Sequence, residues 1–162
     1  MIKKLFCSVL FIVVCSVISY AQDTPEELAK LYVKAQNEKN EAAYMKLVHP
    51  ICVRYYQNTD AEFLSEVFKN VNRHIKVFPN NYEIKIEDET VDKNQKLFFY
   101  PVEPTKKCDI SWSEETRTSK GVLEKTKTSG MNFSMGFYEN KWYIIQPTIS
   151  EDVRKDLEKQ KE

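Results

Sequence analysis

The sequence predicts an α+β domain in which three N-terminal helices pack on a strongly curved antiparallel sheet. Three observations support this fold class. Apolar residues recur at helical spacing up to about residue 79, they alternate with polar residues from residue 82 onward, and Gly136 interrupts one of the alternating segments. Helical spacing followed by strand spacing is typical of α+β proteins. A glycine within a strand favours a bulge or bend, so we expect the sheet to curve.

Residues 1–21 have the organisation of a cleavable secretory signal. Lys3 and Lys4 precede an apolar run that ends at Ile18, and Ala21 supplies the small residue before the cleavage site. The apolar run is shorter than the roughly 20 residues that a membrane-spanning helix needs. We therefore expect cleavage after Ala21, a secreted or periplasmic location, and no membrane association after cleavage.

The mature chain, residues 22–162, has the length of one ordinary domain. The full sequence carries 24 basic and 24 acidic residues, and Lys3 and Lys4 leave with the signal, so the mature chain is slightly acidic. This balance lacks the basic surface typical of nucleic-acid-binding proteins or of proteins that bind anionic membranes. We expect no nucleic-acid partner.

The predicted cleavage leaves two of the four cysteines, Cys52 and Cys108. In an oxidising compartment these two residues are candidates for a disulfide, which would stabilise the fold by roughly 4 kcal/mol. A disulfide also requires α-carbons within about 7 Å of each other. Two separate buried thiols are the alternative, and the sequence leaves both possibilities open.

Three helices are predicted in the first half of the mature chain. The first begins at a capping box formed by Thr24 and Glu27, with a proline at the first helical position. The second is short and ends before Pro50, because the residue before a proline disfavours helical geometry. The third begins at a second capping box, formed by Thr59 and Glu62.

Six antiparallel strands are predicted after the helices. They cover residues 82–87, 97–102, 109–117, 122–128, 131–138 and 141–146. Ser129 with Gly130, and Glu139 with Asn140, are expected to form two-residue hairpin turns. A weak helical tail is expected from about residue 150.

Two segments resemble the nuclear transport factor 2-like superfamily, which includes SnoaL-type proteins. One is the helical pair from Glu27 to Pro50, split by a polar break at residues 37–40. The other is the closing hairpin from Phe137 to Pro147, with Trp142 just after its turn. The resemblance implies a cone-shaped domain with a ligand cavity, and it agrees with a homodimer packed through the sheet.

The sequence departs from the pattern of this superfamily at two places. Asn140 stands where a turn glycine is usual, and Ile51 and Cys52 stand where an acidic residue often follows the proline. In several enzymes of the superfamily, polar groups near that place line the pocket. No catalytic residue of the superfamily can therefore be carried over to this chain.

His49 is the best catalytic candidate in the sequence. Histidine suits base chemistry near neutral pH, and His49 is expected near the mouth of the cone, where a pocket tyrosine such as Tyr56 could assist it. The structural alternative is a histidine favoured by the dipole at a helix C-terminus. His49, His74 and the two cysteines do not have the spacing of a zinc site, and the three glycines do not form a phosphate-binding loop. We expect no metal and no cofactor.

Aromatic residues supply candidates for a ligand pocket. In a cone-shaped domain, some of them would line a cavity for a small apolar molecule, and the alternative is that they fill the core. The pocket candidates are Tyr56, Tyr100, Trp112, Phe133 and Trp142. The sequence therefore favours non-catalytic binding of a small ligand or a protein partner. The alternative is a small hydrolase, isomerase or dehydratase that uses His49.

Two segments are apolar on both faces of their predicted strands. Phe98 is followed directly by Phe99, and residues 142–145 form a second continuous apolar run. A sheet with one face in water should alternate instead. We therefore expect a homodimer packed through the sheet.

Overall fold

The computed structural model describes residues 22–92, 97–121 and 123–150, and over these residues the fold is α+β. The helices are α1 (Pro25–Asn37), α2 (Glu41–Leu47), α3 (Pro50–Thr59) and α4 (Phe63–His74). The strands are β1 (Glu83–Asp88), β2 (Phe98–Phe99), β3 (Lys106–Arg117), β4 (Leu123–Tyr138), β5 (Lys141–Ile145) and β6 (Thr148–Ile149). The predicted signal at 1–21 and the predicted tail after residue 150 lie outside the described residues.

The predicted start of α1 is confirmed. The Thr24 hydroxyl accepts a hydrogen bond from the Glu27 backbone N–H at 3.2 Å, and the Glu27 carboxylate accepts one from the Thr24 backbone N–H at 3.2 Å. Pro25 occupies the first helical position. Because this reciprocal cap satisfies two N–H groups that have no partner within the helix, the sequence alone was enough to locate this helix end.

Helix α3 was not predicted, and the number of helices in the described residues is four rather than three. Pro50 was expected only to terminate α2. Instead α2 ends at Leu47, Val48 is extended with ψ 139°, and Pro50 occupies the first turn of α3. Proline suits that position because its missing N–H would have no helical partner there.

The capping box predicted at Thr59 and Glu62 is wrong. Thr59 is the last residue of α3, and its hydroxyl donates to the Tyr55 carbonyl at 2.9 Å. Glu62 precedes α4 without a side-chain capping bond. The hydroxyl of Thr59 satisfies a carbonyl at the end of one helix instead of an N–H at the start of the next.

The four long strands form one antiparallel sheet in the order β1-β3-β4-β5. The hairpin predicted at Ser129 and Gly130 is wrong, because both residues lie in the middle of β4 and pair with β3. A β-carbon at Gly130 would lie 2.9 Å from the backbone oxygen of Ile110. Glycine at this position therefore serves the close approach of two strands. The chain turns earlier, where Gly121 has φ 76°.

The turn predicted at Glu139 and Asn140 is confirmed. It connects β4 to β5, and its two residues have positive φ angles of 47° and 63°. Positive φ at both central residues is the geometry that matches the twist of a two-residue hairpin. Asparagine adopts this backbone region more readily than most residues, which explains how Asn140 replaces a glycine.

The bulge expected at Gly136 is wrong. Gly136 pairs in regular register with Tyr143, and the register shift between β3 and β4 lies at Thr116 and Arg117 instead. A β-carbon at Gly136 would lie 2.5 Å from Cδ1 of Ile145, a fully buried residue. The glycine therefore makes room for a core side chain, and the strong curvature expected of the sheet is not confirmed.

The strand predicted at 97–102 is reduced to two residues. These form β2, which pairs with β6 in a separate two-stranded ribbon and does not join the main sheet. The ribbon lies beside α3, since the Phe99 ring contacts Tyr55 with 5.4 Å between ring centroids. This placement forms one wall of the groove described below.

The core lies between the helices and the main sheet. Tyr32 on α1 contacts the rings of Tyr44, Phe78 and Phe133, with centroid distances of 6.2, 6.3 and 4.8 Å. Asn37, at the end of α1, fixes the loop before the sheet, because its side chain accepts from the Phe78 N–H at 2.8 Å. Among the described residues, no helix is both long and apolar enough to cross a membrane.

Candidate functional site

Three of the five predicted pocket residues have places in the core or in the sheet. Phe133 is buried against Tyr32, and Trp112 is buried against Phe78 with 5.4 Å between ring centroids. Trp142 is half-buried and contacts Phe137 at 5.3 Å. Their large apolar surfaces are used in packing within the chain.

The other two candidates are Tyr100 and Tyr56. Tyr100 is half-buried and packs against the core. Tyr56 is buried and also lines a groove on the surface. Of the five candidates, only Tyr56 lines one of the three cavities described below.

His49 caps α3 at its N-terminus. Its backbone N–H donates to the Ile144 carbonyl at 2.8 Å, and its Nδ1 accepts from the Ile51 N–H at 3.2 Å. The side chain is 2% exposed. The expectation that His49 lies at a helix C-terminus is therefore wrong, since the residue ends no helix and begins α3.

The surroundings of His49 favour the neutral imidazole. Its ring contacts Tyr138 and Tyr143, with centroid distances of 5.0 and 5.7 Å. Burial lowers the pKa of His49 below its ordinary value. Because Nδ1 accepts a backbone hydrogen bond, the ring proton of the neutral form resides on Nε2. Its Nδ1 lone pair is thus occupied, and His49 lines none of the three cavities described here.

Cys52 and Cys108 are free thiols, and both are fully buried. Burial raises the pKa of Cys52 to about 11 and the pKa of Cys108 to about 12. At neutral pH both are protonated, and the thiol is a poor nucleophile and a poor metal ligand. Within the described ranges, no group of three or more His, Cys, Asp or Glu residues is placed to hold a metal ion.

A groove of about 540 Å³ lies between α3, the start of α4 and the β2–β6 ribbon. We call it the aromatic groove. Its lining residues are Tyr55, Tyr56, Thr59, Asp60, Phe63, Phe99, Thr148, Ile149 and Ser150. Four of these nine residues are aromatic, and they come from three different elements.

The four rings of the aromatic groove form a continuous row. Phe63 stacks on Tyr56 with 4.3 Å between centroids, Tyr56 meets Tyr55 edge-on at 5.1 Å, and Tyr55 contacts Phe99 at 5.4 Å. The Tyr56 hydroxyl donates to the Gln146 carbonyl at 2.7 Å, which fixes the ring. Burial raises the pKa of Tyr56, so its phenol is neutral at physiological pH.

The rim of the aromatic groove is polar and carries one charged residue. Asp60 follows the last residue of α3, where its backbone N–H donates to the Tyr56 carbonyl at 2.8 Å. Its side chain is exposed at the groove. Thr59, Thr148 and Ser150 supply the other polar lining groups. The arrangement can therefore hold a flat apolar body against the accessible rings of Tyr55, Phe63 and Phe99, and a donor group against the Asp60 carboxylate.

Two further cavities are present in the described part of the chain. A small one of about 30 Å³ lies between α1 and α2 and is bordered by Gln22, Leu31 and Leu47. An open depression over α4 is lined by Phe68 and by polar residues that include Lys69 and Arg73. Neither cavity contains a row of rings comparable to that of the aromatic groove.

Comparison with known protein families and with curated proteins finds no family model and no curated relative that matches this sequence. Among the cavities described above, the aromatic groove has the size of a small-molecule site, and its lining combines aromatic rings with polar groups.

Proposed function

We propose that this chain is an exported, non-catalytic binding domain that holds a small, largely apolar molecule in the aromatic groove. The observation that carries this proposal is the continuous row of four rings along a groove of about 540 Å³. Small-molecule sites commonly have volumes of roughly 300 to 1,000 Å³ and mostly apolar or aromatic linings. Aromatic side chains offer large contact areas at little cost in conformational entropy.

The ligand class we propose is a flat ring system that carries a positively charged or hydrogen-bond-donating group. Asp60 is the one charged residue in the lining, and its negative charge favours a cation at the rim and disfavours an anion. The ring edges and faces of Tyr55 and Phe99 favour offset stacking with a flat molecule. The Asp60 carboxylate and the rings of Tyr55 and Phe99 all lie within the described residues.

The fold we propose for this domain is the cone-shaped fold of the nuclear transport factor 2-like superfamily. Support comes from the α1–α2 pair, the β4–β5 hairpin, and a parallel bridge between Val48 and Ile144 that joins the segment after α2 to β5. The interior between helices and sheet is filled by core residues such as Tyr32 and Phe133. We therefore assign the ligand to the aromatic groove and not to the interior of the cone.

The enzymatic alternative finds no support in the placement of His49. That residue uses Nδ1 to cap α3 and lines none of the three cavities described above, whereas Tyr56 lines the aromatic groove. A histidine and a tyrosine that act as a catalytic pair must be within reach of one bound substrate. The binding proposal requires no such pair.

A homodimer through the sheet is a separate proposal. Phe137 on β4 is 54% exposed and lies beside Trp142, and Leu123 at the start of β4 is 49% exposed. The apolar residues of β5 have partners within the chain, since Tyr143 contacts His49. The dimer proposal therefore depends on the side chains of β4.

The binding proposal is tested with two probes of opposite charge. Tryptamine combines an indole ring with a cation, and indole-3-acetate combines the same ring with an anion. Thermal melts of the purified chain with each probe compare the wild type with Phe99→Ala, which removes one ring of the row. Phe99 is 43% exposed, so its loss should cost little stability. Val77→Ala is the control, because Val77 is 64% exposed and lies outside both the groove and the sheet.

We expect tryptamine to stabilise the wild type and Val77→Ala equally, and to bind Phe99→Ala about twofold to tenfold more weakly. This range corresponds to one aromatic contact of about 0.5–1.5 kcal/mol. Indole-3-acetate should bind the wild type more weakly than tryptamine does. Equal binding to all three proteins, or no stabilisation by either probe, would reject the aromatic groove as the site.

A further inference from the structure

Gln22 is buried at the start of the described chain, in contact with the last long strand. The residue is 5% exposed, and its carbonyl accepts a hydrogen bond from the Trp142 N–H at 2.8 Å. Its side-chain Nε2 is buried and has no hydrogen-bond partner. A buried amide donor without a partner is unfavourable, so this side chain is poorly accommodated as an ordinary glutamine.

The predicted cleavage site gives this residue a second property. Cleavage after Ala21 makes Gln22 the first residue of the mature chain, with a free α-amine next to its own side-chain amide. The 5% exposure is that of Gln22 within the full 162-residue chain, and the carbonyl held by Trp142 keeps the residue against β5 after cleavage, a less favourable place for an α-ammonium charge than open water. Both unfavourable groups belong to the same residue.

We propose that the mature N-terminus is modified, and that Gln22 is converted to pyroglutamate. The α-nitrogen attacks the side-chain amide carbon Cδ, a bond forms between that nitrogen and Cδ, and the bond between Cδ and Nε2 breaks. Nε2 leaves as ammonia, taking up the proton that the α-amine gives up. The step needs no oxidant, reductant or cofactor, and the product is a neutral five-membered lactam.

The lactam removes both unfavourable groups in one step. The donor without a partner departs as ammonia, and the charged amine becomes an uncharged amide. The Gln22 carbonyl that accepts from Trp142 is not altered, so the contact with β5 persists. The side chain borders the cavity of about 30 Å³ between α1 and α2, which leaves space on that side for the change of rotamer.

The modification would fix the start of the domain. A lactam has no free amine, so aminopeptidases of the exterior cannot begin at this residue. The inference rests on the exported state proposed above, because residue 22 has a free amine only after the signal is removed. It does not depend on ligand binding in the aromatic groove.

Mass spectrometry of the secreted chain tests the inference. The full 162-residue chain is expressed with its own signal, collected from the medium or the periplasm, and incubated at mild temperature. We expect the N-terminal peptide to begin at residue 22, to be lighter than the glutamine form by one ammonia, and to resist Edman degradation. Gln22→Asn is the matched control, since it keeps a side-chain amide but is too short to form the five-membered ring.

The outcomes separate the failure of this inference from the failure of the proposed export. A peptide that begins at Gln22 with a free amine after incubation overturns the inference and leaves export intact. A chain that is exported but keeps its leader or is cleaved elsewhere overturns the inference alone, and a chain that does not reach the medium or the periplasm overturns both. We also expect the lactam form to melt at a higher temperature than the freshly collected glutamine form, and an equal or lower melting temperature would contradict the burial argument.

Discussion

Replacement of His49 by asparagine should change how the stability of this protein depends on pH. Asparagine is a favoured N-cap residue whose side-chain oxygen can accept from the Ile51 N–H, as His49 Nδ1 does at 3.2 Å. It does not titrate, however. The variant therefore keeps the cap of α3 and removes the ionisable group.

The sign of the effect follows from the lowered pKa of His49. Burial holds the folded-state pKa below the unfolded value of about 6.5. Above pH 6.5, His49 is neutral in the folded and the unfolded state, and its contribution to the free energy of unfolding is fully present. As the pH falls below about 6.5, the unfolded chain takes up a proton that the folded chain refuses, so stability declines until the folded pKa is reached. Protonation would also turn Nδ1 into a donor and break the cap.

The magnitude is bounded by the binding of one proton. His49 can change the free energy of unfolding by at most about 1.4 kcal/mol per pH unit. Each pH unit that separates its folded and unfolded pKa values adds about 1.4 kcal/mol to the total change. At neutral pH, His49→Asn should be less stable than the wild type by about 0.5–1.5 kcal/mol, because the ring contacts with Tyr138 and Tyr143 are lost.

Urea melts between about pH 7.5 and pH 5 measure the difference. We expect the free energies of unfolding of the wild type and His49→Asn to approach each other as the pH falls. His74→Asn serves as the control, because His74 is exposed; this variant should follow the wild type. Parallel curves for the wild type and His49→Asn would refute the reasoning that a buried, neutral cap is the role of His49.

Three further predictions concern the sheet and the thiols. Gly136→Ala should destabilise the fold by about 1–3 kcal/mol in urea melts, because its β-carbon would meet Cδ1 of Ile145. Ile145→Val removes that methyl group, so the double variant should recover part of the lost stability. Strictly additive effects of the two substitutions would argue against this contact. In a chain made of residues 22–162, which lacks Cys7 and Cys15, Cys52 and Cys108 should resist Ellman's reagent while folded and give two thiols after unfolding without reductant, because both are buried free thiols; a result of no thiols would reveal a disulfide. Light scattering at micromolar concentration should give a dimer that Phe137→Glu dissociates, and a monomeric wild type would reject the sheet dimer.

The sequence predicted best those elements whose signals are local. The Thr24 capping box is satisfied by residues three positions apart, and the turn at Glu139 and Asn140 needs only two residues that tolerate positive φ. The alternation of apolar and charged residues after Tyr82 likewise predicts β1 without reference to its partner strand. In each case the deciding interaction lies within the segment itself.

The failures arise where a local signal has two possible meanings. Pro50 is equally suited to follow one helix and to begin the next, and the deciding fact is the pairing of Val48 with the distant Ile144. Gly130 suits a turn, but it also suits the close approach of a neighbouring strand, and only the position of Ile110 distinguishes these. Both decisions depend on residues far away in the sequence.

The aromatic groove was out of reach for the same reason. Tyr55, Tyr56 and Phe63 are close in sequence, and Tyr56 was a pocket candidate, but their partners Phe99 and Ile149 meet only through the β2–β6 ribbon. One strand of that ribbon was predicted as the longer strand 97–102, and the other, β6, was not predicted. The helical half of the groove was therefore visible in the sequence, and the half from the ribbon was not.

Two segments from the first third of the chain are hydrogen-bonded to β5, the last strand of the main sheet. These bonds affect the order in which the protein can fold. The His49 N–H and the Gln22 carbonyl both bond to β5, which the ribosome makes after all four helices and the three other strands of the main sheet. Contacts between distant segments require the closure of long loops and slow the folding rate. Helix α3 consequently has no partner for its capping segment until almost the whole chain has been synthesised. Late folding of this kind agrees with the export that we propose, because a chain that completes its fold late is still incompletely folded when it reaches a secretion channel.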